Sequence, residues 1–246
     1  MRVAIIQARC GSTRFPQKIF ADLSGKPLIW HVVNRLKYCK RIDKIIVATT
    51  TNITDNTLTD WAAKENIELY QGSEDDVLNR YYSTAKMLEL NPDDIIIRIT
   101  ADDPFKEPEL IDKVIEKVEL GDTLFAYNNK PPTFPEGLDC EVFTMSALEL
   151  SEISSNDPYE REHVTQYMYR HPEIFSGQNI SNDVDLSYLR FTIDTEDDYK
   201  MVKEIYSNLY DENKIFVLTD ILDFIRINPH ILQINANVKR SDMYKK

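Results

Sequence analysis

Arg9, Arg14 and Lys18 place three cations within ten residues of a chain whose formal net charge is −12. Small and hydroxyl residues, Ala8, Gly11, Ser12 and Thr13, lie among them. Backbone N–H groups beside such residues can come close to phosphate oxygens. A concentrated positive loop in an acidic protein calls for an anionic ligand, and a polyphosphate meets that demand. The plainer reading is a surface loop whose cations pair with helix carboxylates. The loop lacks the terminal Gly-Lys-Ser/Thr of a Walker A segment and the Gly-x-Gly-x-x-Gly of a dinucleotide site. Phosphate physics alone leaves both readings open.

A second group of residues has metal chemistry within reach. Asp102 and Asp194 stand 92 positions apart, each closing an apolar run, IIIRIT with Ala101 in one case and LRFTI in the other. Hard divalent cations prefer oxygen ligands, and Mg²⁺ is typically held by one or two carboxylates plus phosphate oxygens. Each Asp can equally be a helix N-cap, because helical patterns open soon after at Pro108 and Asp197. Between the two groups, Glu74, Asp75 and Asp76 read as acids favouring a helix start, and Arg80 as an i,i+4 partner of Asp76.

These side chains need elements to hold them. RVAIIQ (Arg2–Gln7) is a buried strand, and the loop Ala8–Lys18 leaves its carboxyl end, where open α/β sheets bind ligands. Leu28–Cys39 carries Ile29, Val32, Val33 and Leu36 on one helical face. KIIVAT (Lys44–Thr49) is a second strand that brings Thr49 and Thr50 to the same edge. Helices follow over Asn56–Glu65, Val77–Leu88 and Pro108–Val118, with strands at Glu68–Gln71 and Ile95–Thr100. That alternation predicts an α/β fold with a mostly parallel sheet and helices on both faces. From Thr123 to Leu186 the pattern loosens into prolines, a strand-like Cys140–Phe143 and a helix over Arg161–Arg170. LRFTI (Leu189–Ile193) then resumes as a strand, before helices over Asp197–Tyr210 and Thr219–Asn228. The expected organisation is one domain over 1–228 with 123–188 inserted, and a polar tail over 229–246.

Composition narrows the class. The chain has 246 residues, 42% hydrophobic and 28% charged, as soluble globular proteins do. No apolar stretch approaches the ~18 residues of a membrane span, and no signal peptide is read at Met1. The acid surplus argues against nonspecific nucleic-acid binding. Cys10, Cys39 and Cys140 have no metal or redox spacing, so packed thiols in a reducing cytoplasm are expected. Glycine is scarce, with 6 in all, against an average of about 7%. Four of them (Gly11, Gly25, Gly72 and Gly137) fall in the segments singled out on other grounds.

AIIQARCGSTRFPQKIF followed by SGKPLIWHV resembles the nucleotide-binding loop of the cytidylyltransferases that activate keto-sugar acids. These are the acylneuraminate and 3-deoxy-manno-octulosonate cytidylyltransferases. Gln7, where those groups usually have Pro, is more like the branch named for spore coat polysaccharide biosynthesis protein F. The resemblance spans Ala4 to about Tyr206 and rests on Ala8, Arg9, Gly11, Ser12, Arg14, Pro16 and Lys18 together. It implies a three-layer αβα, Rossmann-like nucleotidyltransferase (GT-A-like) fold with a mostly parallel mixed sheet and a small inserted subdomain.

The resemblance also implies roles. Gln7, Ala8, Arg9, Gly11, Ser12, Thr13, Arg14 and Lys18 would bind the nucleotide, CTP, with Thr49, Thr50, Arg80, Thr100 and Ala101. Arg14, Lys18, Asp102 and Asp194 would be catalytic, and the two aspartates would hold Mg²⁺. Asp103 departs from the family's pattern, which often has an uncharged residue there; the ion is assigned to Asp102. Asp139, Glu141, Arg161 and His163 would receive a small anionic acceptor. The implied reaction joins CMP to a sugar acid or related acceptor with release of pyrophosphate, for surface polysaccharide biosynthesis, in a homodimer. Two other readings stand beside it, a nucleotide-sugar-dependent glycosyltransferase and a non-catalytic nucleotide-binding protein. The glycosyltransferases usually present Asp-x-Asp after a strand, whereas this chain shows Ala101-Asp102-Asp103-Pro104 after IIIRIT and a cationic loop.

Overall fold

The computed structural model describes residues 1–240. β1 (Arg2–Gln7) leads through the cationic loop to a short hairpin, β2 (Asp22–Leu23) and β3 (Lys26–Pro27), and then α1 (Leu28–Leu36). β4 (Lys44–Thr50), α2 (Asn56–Lys64), β5 (Glu68–Gly72) and α3 (Val77–Met87) follow, then β6 (Ile95–Thr100) and α4 (Pro108–Glu119). Beyond residue 123 come β7 (Phe125–Tyr127), β8 (Glu141–Thr144), α5 (Met145–Ser154), α6 (Pro158–Glu162), α7 (Gln166–Arg170), α8 (Pro172–Phe175) and β9 (Gln178–Asn179). α9 (Glu196–Leu209) and α10 (Leu218–Ile227) complete the helices. A 3-10 turn over Pro229–Gln233 opens the tail, of which 241–246 lie outside the described residues.

The main sheet runs β5-β4-β1-β6-β8-β7-β9. β5, β4, β1 and β6 are parallel, β8 is antiparallel to β6 and β7, and β9 is parallel to β7. Successive strand residues face opposite sides, and the core divides accordingly. Ala4, Ile6, Ile97 and Ile99 pack with residues of α1, α4, α9 and α10. Val3, Ile5 and Ile96 pack with residues of α3, α5 and α7. Burying one such side chain contributes about 1.5–3 kcal/mol, so a sheet apolar on both faces needs a helix layer on each. The result is the expected three-layer α/β architecture. The three cysteines are free and buried. Among the described residues no helix is long and apolar enough to cross a membrane.

Two expectations are corrected. LRFTI is not a strand: it makes a single parallel bridge, Glu136 to Arg190. Gly137, at φ +104°, keeps the facing segment close, since a Cβ there would lie 2.7 Å from the Thr192 nitrogen. The helix expected over Arg161–Arg170 is two short ones, α6 and α7, divided where Val164 takes φ 55°. Val164 is buried, and its packing overrides the helical propensity on either side.

Candidate active site

The order of the sheet decides where a ligand can enter. From β1 the chain builds outward to β4 and β5, then returns to set β6 on the other side of β1. Gln7 and Thr100 are register partners at the carboxyl ends of β1 and β6. A reversal of this kind opens a crevice beyond the strand ends. Here the crevice is about 520 Å³, and Gln7, Ala8, Arg9, Gly11, Ser12, Thr13, Arg14, Lys18, Arg80, Thr100, Ala101, Asp102 and Asp194 all line it.

Lys18 holds the centre. Its Nζ donates to Asp102 Oδ2 at 2.8 Å, Asp194 Oδ1 at 2.9 Å and the Ile193 carbonyl at 2.7 Å. Arg14 adds an ion pair to Asp194 Oδ1 at 3.0 Å. The two carboxylates, remote in sequence, are tied through the backbone as well, where Ile193 N–H donates to the Asp102 carbonyl at 3.0 Å. Burial works against the charged forms of Lys18 and Asp194 alike, and their attraction outweighs it. Lys18 is held above its ordinary value, and Lys18, Arg14 and Arg190 hold Asp194 below the usual carboxylate range. Neither Asp caps a helix: Glu107 precedes α4, and Thr195 caps α9 in a reciprocal box with Asp198. Asp103 points elsewhere. It is buried, accepting from Lys106 Nζ at 2.8 Å and the Thr100 hydroxyl at 2.6 Å.

Thr49 and Thr50 do not reach the crevice. Both are buried, and their hydroxyls donate to Asp55 Oδ2, whose other oxygen accepts the Cys10 N–H at 2.7 Å. They brace the floor of the loop instead. Nothing in the local sequence marks Asp55 for this role; it stands just ahead of α2, yet its side chain bonds no helix N–H. Arg80 is not the partner of Asp76: its buried guanidinium donates to the Ser73 carbonyl, supporting the turn between β5 and α3. Asp76 accepts from Asn79 N–H as the α3 N-cap and pairs with Arg161.

A second cavity of about 410 Å³ adjoins the first, and Asp139, Glu141 and His163 line it. Arg161 does not. Its guanidinium donates to Asp76 at 2.7 Å, to the Glu152 carboxylate at 2.8 Å and to the Ser155 carbonyl at 3.0 Å, bolting α6 to α3 and α5. Arg161→Leu is therefore expected to cost about 1–3 kcal/mol of stability, read in urea unfolding, with nucleotide-induced stabilisation unchanged. Arg190 was also missed. It is buried and reaches Asp194 Oδ2 at 3.0 Å, Glu136 Oε1 at 2.6 Å and both oxygens of Asp198. Its i,i+4 spacing to Asp194 was visible, but helical spacing carries no signal in a segment outside any helix.

Residues 3–236 match the family model described as Cytidylyltransferase. Spore coat polysaccharide biosynthesis protein SpsF of Bacillus subtilis is 33% identical over 209 residues, covering 82% of this chain and 85% of that protein. Uncharacterized protein MJ1063 of Methanocaldococcus jannaschii is 36% identical over 240 residues, 97% of this chain and 96% of its own. A solved cytidylyltransferase from Leptospira borgpetersenii superposes with a TM-score of 0.87 at 32% identity, covering 94% of this chain and 96% of that one.

Proposed function

The chain belongs to the cytidylyltransferase family, and from that premise we propose that it transfers CMP from CTP to a small anionic acceptor, a sugar acid or a related compound. Pyrophosphate leaves, Mg²⁺ is the cofactor, and the product serves surface polysaccharide biosynthesis. One observation carries the reading. Lys18 joins Asp102 to Asp194 in a crevice walled by Arg9, Arg14 and the short residues Gly11, Ser12 and Thr13, beside a second cavity of a size to hold an acceptor.

The donor set suits the ion. Oxygens of Asp102 and Asp194 reach one and the same ammonium nitrogen, so a small hard cation can be shared between them. Among the described residues no cluster of three or more His, Cys, Asp or Glu could hold a metal. Two carboxylates completed by phosphate oxygens and water is the customary arrangement for Mg²⁺. Asp102 and Asp194 would hold the ion, which would supply neutralisation of charge on the phosphate oxygens. The protein's own part is positioning and charge stabilisation, which phosphoryl chemistry needs more than covalent help. Arg9 and Arg14 bind the triphosphate, and Lys18 stabilises the charge that develops as pyrophosphate departs. Asp139 and Glu141 face the acceptor.

The test crosses CTP, UTP, ATP and GTP with keto-sugar acids, polyol phosphates and phosphonates, reading pyrophosphate release with Mg²⁺. Release with CTP that requires one acceptor class is the expected result. CTP that raises the melting temperature without turnover under any acceptor would instead identify a binding protein, and consumption of an added nucleotide sugar without pyrophosphate release a glycosyltransferase.

A further inference from the structure

Thr100 and His163 line both cavities, so whatever passes between nucleotide and acceptor passes them. The Thr100 hydroxyl is already committed, donating to Asp103 Oδ2 at 2.6 Å. His163 differs. Among the described residues its ring makes no hydrogen bond or ion pair, only an edge contact with the Tyr159 ring at 4.4 Å between centroids. The backbone puts it there deliberately: α6 ends at Glu162, the buried Val164 turns the chain at φ 55°, and α7 starts at Gln166. A β-branched residue in left-handed backbone is strained, and that strain is sustained at the step that directs His163 into the gap.

We propose that His163 is the general base that accepts the proton of the attacking acceptor hydroxyl. The inference rests on the nucleotidyl-transfer reading. As the O–H bond breaks, its proton goes to an imidazole nitrogen, and an electron pair of the oxygen forms the new bond to the α-phosphorus. The bond from that phosphorus to the bridging oxygen breaks, and its pair leaves with pyrophosphate; the imidazolium then returns its proton to water. Four of its neighbours are poorly suited to the task. Arg98 is a cation paired with Glu141, whose other oxygen accepts the Thr165 hydroxyl at 2.9 Å. Asp103 is taken up by Lys106 and Thr100. Asp139 lines the acceptor cavity but not the crevice.

The electrostatic setting agrees with the geometry. His163 is surrounded by Tyr159 and Glu162 of α6, by Arg98 and Glu141 from β6 and β8, and by Asp103 and Asp139 across the cavity. Burial depresses the imidazole below its ordinary value, with Arg98 acting the same way against Glu162 and Glu141. The ring is thus neutral at pH 7 and can take a proton.

The experiment follows kcat and the KM for CTP from about pH 5 to 9, using the acceptor that gives the fastest pyrophosphate release, for wild type, His163→Gln, His163→Asn and Asp139→Asn. Loss of a general base is expected to lower kcat by roughly 10²–10⁴-fold, with the KM for CTP nearly unchanged. The acid limb of the kcat profile should vanish in both His163 variants and persist in Asp139→Asn. In a further variant, His163→Gly, added imidazole should partly restore turnover. CTP-induced thermal stabilisation confirms that each variant is folded. An acid limb retained in the His163 variants, or kcat within a few-fold of wild type, overturns the base. Wild-type enzyme that releases no pyrophosphate with any acceptor overturns the reading beneath it, and the base with it.

Discussion

Asp102→Asn is expected to lower turnover by roughly 10³-fold, the scale set by removing one preorganised charge-stabilising group from a transition state. The fold should be barely disturbed. Asp102 is partly exposed, its single strong contact is with Lys18 Nζ, and Asn can still accept that hydrogen bond. What Asn cannot supply is the second negative charge of the carboxylate pair proposed to share the cation. The adjacent residue provides the contrast. Asp103→Asn leaves the Lys106 ammonium buried without its counter-charge, and breaking a buried pair from one side costs about 3–5 kcal/mol. One substitution should therefore yield a folded, inactive protein that still gains stability from CTP. The other should yield an unstable one. Urea unfolding, alongside pyrophosphate release at saturating CTP, separates them. Near-wild-type turnover in Asp102→Asn would remove that residue from the proposed site.

Two neighbouring aspartates with opposite expected phenotypes show where sequence reading stops. The strands β1, β4 and β6 were legible because runs such as AII and IIIRIT are buried on both faces and admit little else. The crevice followed from them: once the strand ends are fixed, the loop from Ala8 to Lys18 and the Asp after Thr100 have one edge to occupy. Direction across a wall was not legible. Thr49 and Thr50 end their strand at the right edge but turn into Asp55, and Arg161 sits in the right segment but faces α3 and α5. A pattern gives the element on which a residue stands. Which side of it meets the ligand depends on partners dozens of residues away. The same holds for LRFTI, where apolar alternation is served by packing beneath Gly137 rather than by a strand ladder.

The second large effect lies in that segment. Arg190→Met is expected to destabilise the protein by about 3–5 kcal/mol at neutral pH and to cut turnover as well. The guanidinium grips both oxygens of the fully buried Asp198, at 2.8 and 3.0 Å, and shares itself with Glu136 and Asp194. Asp198 in turn accepts the N–H groups of Asp194 and Thr195, so the backbone that presents Asp194 hangs from this one cation. Arg190→Lys keeps the charge but not the fork geometry and should fall between. The pH dependence has a definite sign. Burial disfavours ionised Asp194 and Asp198, yet their cationic partners hold both below the ordinary value of 3.8. Their contribution is complete above that value and is lost as the pH falls through the depressed folded values. Without Arg190 the buried Asp198 carries a charge penalty that grows as the pH rises. The stability gap between wild type and Arg190→Met should thus be widest near neutrality and close towards acid, which denaturant titrations at stepped pH would measure. A gap independent of pH would mean that Arg190 acts through packing of its stem, not through its charge.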